Sequence, residues 1–97
     1  MIAELQVLPT PAGTAESHYA HVDAAINVIE QSGLTYEVGP LGTSFEGPPA
    51  DVWRVLQAAH DATLAAGARS VVTVVKLAEG ASDGGPAISD LVDKFRR

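Results

Sequence analysis

Between Ile2 and Leu8 the chain alternates, with Ala3, Leu5 and Val7 on one side and Glu4 and Gln6 on the other. That period of two marks a strand with one buried face. Pro9 and Pro11 are expected to stop it, leaving Thr10 to Thr14 as a loop. The period then lengthens. Tyr19, Val22, Ile26 and Ile29 form one helical stripe, with Ala24 and Ala25 beside it. Thr14 or Ser17 is placed to cap this first helix, Glu16 suits its first turn, and Gly33 stands where the residue after a C-cap belongs.

Leu34 to Val38 is rich in β-formers and runs into Gly39-Pro40, followed by Leu41 to Glu46, a pattern that predicts a hairpin. Gly47-Pro48-Pro49 opens a second helix, where proline is tolerated in the first turn. Its stripe of Val52, Leu56, Ala59 and Thr63 ends at Gly67. Ser70 to Ala78, SVVTVVKLA, is the strongest strand of the chain. Glu79 to Pro86 has the Gly, Ser and Asp content of a mobile linker. Ile88, Leu91, Val92 and Phe95 predict a short terminal helix ending in Lys94, Arg96 and Arg97, where the helix dipole favours cations.

The order β-α-β-β-α-β with a tail helix, and the echo of Gln31-Ser32-Gly33 in Ala65-Ala66-Gly67, predict an α+β ferredoxin-like sandwich. Four antiparallel strands would carry two helices on one face, in a single domain over 1–97 with its core in 1–78 and a loop and helix in 79–97. The other face must be polar, covered by a ligand, or buried between copies. Leu8, Val72 and Val74 would need such shelter, which points to a homodimer or homotetramer.

Composition narrows the function. Twelve acidic against six basic side chains in 97 residues give a net charge of -6, a field that repels nucleic-acid phosphates. Of the two Phe, two Tyr and one Trp, only Phe45 is expected on a central strand, too few for a sheet that stacks bases. The absence of cysteine excludes disulfides, iron–sulfur clusters, thiolate zinc sites and cysteine nucleophiles. The opening MIAELQVLPT lacks the plan of a secretory signal, and no apolar run is long enough for a membrane span, so a cytoplasmic location is expected. An acylphosphatase-like site would need an Arg in the first loop and an Asn on the sheet. Residues 9–14 hold no Arg, and Asn27, the sole Asn, lies in a predicted helix.

Few constellations carry chemistry. His18 and His21, three apart with Asp23 nearby, lack a third metal ligand at helical spacing, and two ordinary helix-turn histidines account for them. His60 and Asp61 are adjacent on a helix and do not face each other, so they are expected at the surface. No nucleophile elbow, phosphate-binding loop or dinucleotide fingerprint is present, and no residue is assigned as catalytic. What remains is YEVGPLGTSFEG, Tyr36 to Gly47, with Thr43 and Glu46 as polar residues on a central strand, and Thr73 and Lys76 interrupting the last strand. A carboxylate and a hydroxyl in a partly dry site suit an amino-pyrimidine edge and an attached cation. The plainer alternative makes the threonines β-formers and Glu46–Lys76 an interface ion pair. Thr43 and Glu46 are three apart and point to opposite faces unless a bulge near Gly47 intervenes.

The segments Ala3-Glu4-Leu5-x-Val7-x-Pro9, Tyr36-x4-Leu41-Gly42-Thr43-x-Phe45-Glu46-Gly47 and Val71-Val72-Thr73-x-Val75-Lys76 resemble, in order and spacing, the small thiamine-binding proteins related to the YkoF type. The resemblance covers about residues 1–78 and includes the helix ends at Gly33 and Gly67. It implies a ferredoxin-like subunit assembled into dimers or tetramers that binds thiamine or its hydroxymethylpyrimidine part without catalysis or a cofactor. Carried over by position, it implies a ligand site including Ser17, Tyr36, Thr43, Glu46 and Thr73, with Lys76 serving subunit packing. Gln6, Leu41 and Pro48-Pro49 depart from the family pattern. The alternative function is an oligomeric structural or regulatory module with no small-molecule ligand.

Overall fold

The N-terminal alternation becomes the middle of a sheet. In the computed structural model, which describes residues 1–82 and 85–96, β1 (Ile2–Thr10) lies between β3 (Thr43–Glu46) and β4 (Ser70–Ala78). A short strand, β2 (Thr35–Val38), forms the far edge, giving the order β2-β3-β1-β4. All neighbours are antiparallel. Helices α1 (Ala20–Gln31) and α2 (Pro49–Ala65) alternate with the strands, and α3 (Ile88–Val92) runs into one 3-10 turn, Asp93–Phe95. This is the expected ferredoxin-like plan with a tail helix. Asp83, Gly84 and Arg97, which fall within the predicted linker and the basic terminus, lie outside the described residues.

Period two sorts the side chains cleanly. Ala3, Leu5 and Val7 of β1 and Thr43 and Phe45 of β3 are buried on the face that carries α1 and α2. Ala25 and Ile29 from α1 and Val52, Val55, Leu56 and Ala59 from α2 meet them there. Phe45 is fully buried and is the bulkiest side chain in that core, so it contributes about 1.5–3 kcal/mol by apolar burial.

Three boundaries differ from the sequence expectation. β1 does not stop at Pro9, which pairs with Val71 inside the strand. At that point β1 has β4 on one side only, because its pairing with β3 ends at Leu5–Thr43, and a residue without an N–H is tolerated at such an edge. The first helix begins at Ala20 with Tyr19 as an N-cap that makes no side-chain capping bond, and Thr14 Oγ1 instead accepts from the Ser17 N–H at 3.1 Å. Glu16 therefore precedes the helix. β3 begins at Thr43, since Leu41 and Gly42 belong to a turn closed by the Gly39 N–H on the Gly42 carbonyl at 2.8 Å.

The opposite sheet face is half covered. On the β3 side, α3 sits over Ile2, Glu4 and Ser44, with Ile88 buried and its N–H donating to Glu46 Oε2 at 2.8 Å. Arg96 forms an ion pair with Glu37, which holds the end of the segment over β2. On the β1–β4 side, Leu8, Val72 and Val74 stand exposed, beside Lys76 at 3.9 Å from Glu4.

The connections at the far end of β1 are pinned. His21 is 3% exposed, and its Nδ1–H donates to the Pro11 carbonyl at 2.7 Å. The same ring lies against Gly67, where φ is +127° and an added Cβ would stand 3.2 Å from His21 Nε2. The Arg69 N–H donates to the Thr10 carbonyl at 2.8 Å, so the loops after β1 and after α2 are joined.

Two outcomes follow from this packing. Phe45→Ala should lower unfolding stability by about 3–5 kcal/mol in urea titration, because the sheet backbone around it cannot collapse into the cavity. Glu46→Ala should raise amide exchange at Ile88 by roughly tenfold while leaving the exchange of β1 amides unchanged; equal exchange at Ile88 would show that the carboxylate does not hold α3.

Candidate functional site

A length mismatch builds one cleft. β1 has nine residues, but β3 pairs with it only from Ile2 to Leu5. Past Leu5, the side of β1 that faced β3 has no strand beside it, and the gap is framed by the Gly39–Gly42 turn and by α1. The resulting cleft is about 230 Å³. Its walls include Leu5, Val7, Val22, Ile26 and Leu41, with Tyr19 at the start of α1. Thr43 is the polar side chain set most deeply into this apolar wall. It is 3% exposed, and its hydroxyl makes no hydrogen bond to the described residues. No fully buried side-chain oxygen among the described residues lacks a partner, so the Thr43 hydroxyl reaches the open space of the cleft. A strand edge with free backbone groups and one such hydroxyl, in a mostly apolar enclosure, suits a small flat heterocycle with a hydrogen-bonding edge.

The other expected site residues lie elsewhere. The β1–β3 register is continuous from Thr43 to Glu46, so no bulge intervenes and the two side chains point to opposite faces. The Glu46 carboxylate is held by the Ile88 N–H under α3, whereas Tyr36, opposite Phe45 in the β2–β3 register, points to the other face of the sheet. Tyr36 is 41% exposed on the edge strand. Ser17 is exposed in the turn before α1, where its carbonyl accepts from the Thr14 and Ala20 N–H groups. Thr73 faces the helices from β4 and shares a 2.5 Å hydrogen bond with His60 Nδ1. Lys76 pairs with Glu4 and not with Glu46. Of the five, Thr43 lines this cleft, Tyr36 and Glu46 point to opposite faces of the sheet, and Ser17 and Thr73 each stand apart.

His60 differs from its expected surface position. It sits one residue past the buried Ala59, on the shoulder of the α2 stripe, where i,i+4 spacing from Leu56 turns it toward β4. That spacing was the available signal. Tyr19, Gln6 and Leu41 also line the cleft. The histidines of the first helix region separate: His18 is exposed, while His21 is buried and bonded to Pro11. Among the described residues no group of three His, Cys, Asp or Glu side chains could hold a metal ion, and no helix is long and apolar enough to cross a membrane.

Known proteins share both sequence and shape with this chain. A UPF0045 protein of Clostridium perfringens is 32% identical over 92 residues, covering 95% of this chain and 93% of its own. A solved domain of unknown function, DUF77, from Bacillus cereus superposes with a TM-score of 0.85 at 35% identity, over 98% of this chain and 88% of that one. A Thermotoga maritima protein assigned provisionally to thiamine biosynthesis or salvage superposes with a TM-score of 0.81 at 25% identity, over 98% and 97% of the two chains. The profile of the family described as "Thiamine-binding protein" matches residues 3–96, from the first strand through the tail helix. The chain belongs to that thiamine-binding protein family.

Proposed function

We propose that the chain binds thiamine, or the hydroxymethylpyrimidine part of it, in the cleft between β1, α1 and the Gly39–Gly42 turn, and that it does so without chemical turnover. The observation that carries this reading is the Thr43 hydroxyl, which has no protein partner and opens into the cleft from an otherwise apolar wall. An aminopyrimidine presents donors and acceptors in one plane, which the Thr43 hydroxyl and the exposed edge of β1 can meet, while Tyr19 offers an aromatic wall. At about 230 Å³ the cleft is smaller than the ~300–1,000 Å³ usual for whole drug-sized ligands. A single ring therefore sits inside and the remainder lies toward solvent. The net charge of -6 favours a ligand carrying a thiazolium cation. The family membership and the Thermotoga maritima relative support the same ligand class.

Isothermal titration with thiamine and with its separate pyrimidine and thiazole halves tests the reading. Saturable binding with the pyrimidine half retaining most of the affinity is expected, and Thr43→Val should weaken it by about three- to tenfold, the worth of one hydrogen bond. No heat with any of these, together with an unchanged melting temperature, would remove the vitamin from the account.

A second reading is favoured by a different observation. Leu8, Val72 and Val74 form an exposed apolar strip on the uncovered half of the sheet, as in a module that works by assembling with itself into a homodimer or homotetramer. Leu8→Glu should then lower the assembly mass in sedimentation without unfolding the subunit; an unchanged mass would place the strip outside any interface.

A further inference from the structure

The cleft beside β1 does not end at its apolar wall. Ile26 lines it and also lines an open depression of about 420 Å³ on α1, bordered by Asp23, Asn27 and Glu30. Along the helix, Asp23 follows Tyr19 by one turn and Glu30 follows Ile26 by one turn. Both acidic positions lie within about 60° of Ile26 around the helix axis, on the side away from the buried Ala25, and about 10 Å apart along it. Their side chains are exposed, and neither makes an ion pair or a hydrogen bond among the described residues. Glu30 also stands against the helix dipole. It occupies the last turn of α1, where a carboxylate is disfavoured, and no basic residue in that turn offsets it. The helix itself gives no reason for an acid there.

We propose, building on the thiamine reading above, that Asp23 and Glu30 seat the cationic half of the ligand, so that the site takes thiamine in its unphosphorylated form. The cleft alone, at about 230 Å³, is too small for the whole vitamin, and with the depression past Ile26 the space enters the usual ~300–1,000 Å³ range. Thr43 fixes one end of this space: its side chain is 3% exposed, and its hydroxyl opens into the cleft without a protein partner. With the pyrimidine ring at Thr43, the thiazolium passes over Ile26 and lies between the two carboxylates. A delocalised ring cation needs no directional acceptor, and two carboxylates beside an apolar floor supply the charge it requires. A phosphate on the hydroxyethyl arm reverses the balance. No Lys or Arg lines the cleft or the depression. The first N–H groups of α1, which could otherwise hold an anion, are already used. Ala20 N–H donates to the Ser17 carbonyl at 3.1 Å, and His21 N–H donates to the Ala12 carbonyl at 2.9 Å.

Isothermal titration at low salt tests the assignment with four ligands: thiamine, its hydroxymethylpyrimidine half, thiamine diphosphate, and a neutral analogue with thiophene in place of thiazolium. The wild type should bind thiamine about tenfold or more tighter than the diphosphate and about fivefold tighter than the neutral analogue. Asp23→Asn combined with Glu30→Gln, confirmed as folded by circular dichroism, should weaken thiamine about five- to tenfold and leave the pyrimidine half within about twofold. Added salt should weaken thiamine binding to the wild type and leave the double variant nearly unaffected. Thiamine, diphosphate and neutral analogue binding within about twofold of one another would overturn the subsite and leave the thiamine site standing. So would a double variant that binds thiamine as the wild type does, or one that loses the pyrimidine half as much as the whole vitamin. Failure of every ligand, the pyrimidine half included, would instead remove the thiamine reading itself, and this subsite with it.

Discussion

The arrangement of this molecule depends on β1 being longer than one of its two neighbours. A central strand normally has its backbone groups satisfied on both sides along its whole length. Here the β4 side is matched residue for residue, while the β3 side is matched over four positions. Everything at that end of the molecule accommodates the shortfall. The hairpin turn folds back beside the gap, α1 lies across it, and Pro9, which has no N–H to offer, occupies the uncovered stretch. The cleft is thus a consequence of strand lengths and not of a specialised loop, and its walls are also walls of the hydrophobic core. A ligand held there would be contacting groups whose positions are fixed by folding itself, the condition under which a small number of polar contacts can orient a ring.

Much of the fold was legible because its signals are periodic. Alternation in β1, the stripes of α1 and α2, the run in β4 and the glycines at 33 and 67 each specify local structure by spacing alone, and their order prescribes the sheet. The boundaries that moved are those where tertiary context outweighs local chemistry. Pro9 remains in a strand because the neighbouring strand has already ended. Thr14 and Ser17 satisfy each other in a turn and leave the start of α1 to Tyr19.

The site was legible only in part. Thr43 was visible as a hydroxyl on a central strand, and alternation alone required Glu46 to face the other way. That Glu46 would meet the backbone of a tail helix, 42 residues later, has no trace in spacing. Nor does the meeting of His60 with Thr73, which needs the packing of α2 on β4 to be known. Cleft walls assembled from a strand end, a turn and a helix start are non-local by nature, so motif reading finds their members singly and cannot group them. The two sheet faces divide labour accordingly. One is closed by α1 and α2 around Phe45, and the other is closed on one half by α3 and left apolar on the other half.

The contact between His21 and Gly67 links two positions 46 residues apart in their freedom to vary. Space at position 67 is limited by the imidazole ring, and a smaller residue at 21 would relieve it, although the Pro11 carbonyl would then lose its donor. The backbone angle at Gly67 is a separate restriction, because a φ of +127° excludes nearly every residue with a Cβ whatever its neighbours. Drift at position 21 therefore cannot by itself open position 67. The dependence runs one way: Gly67 permits the ring at 21, while the ring is only one of two reasons for the glycine.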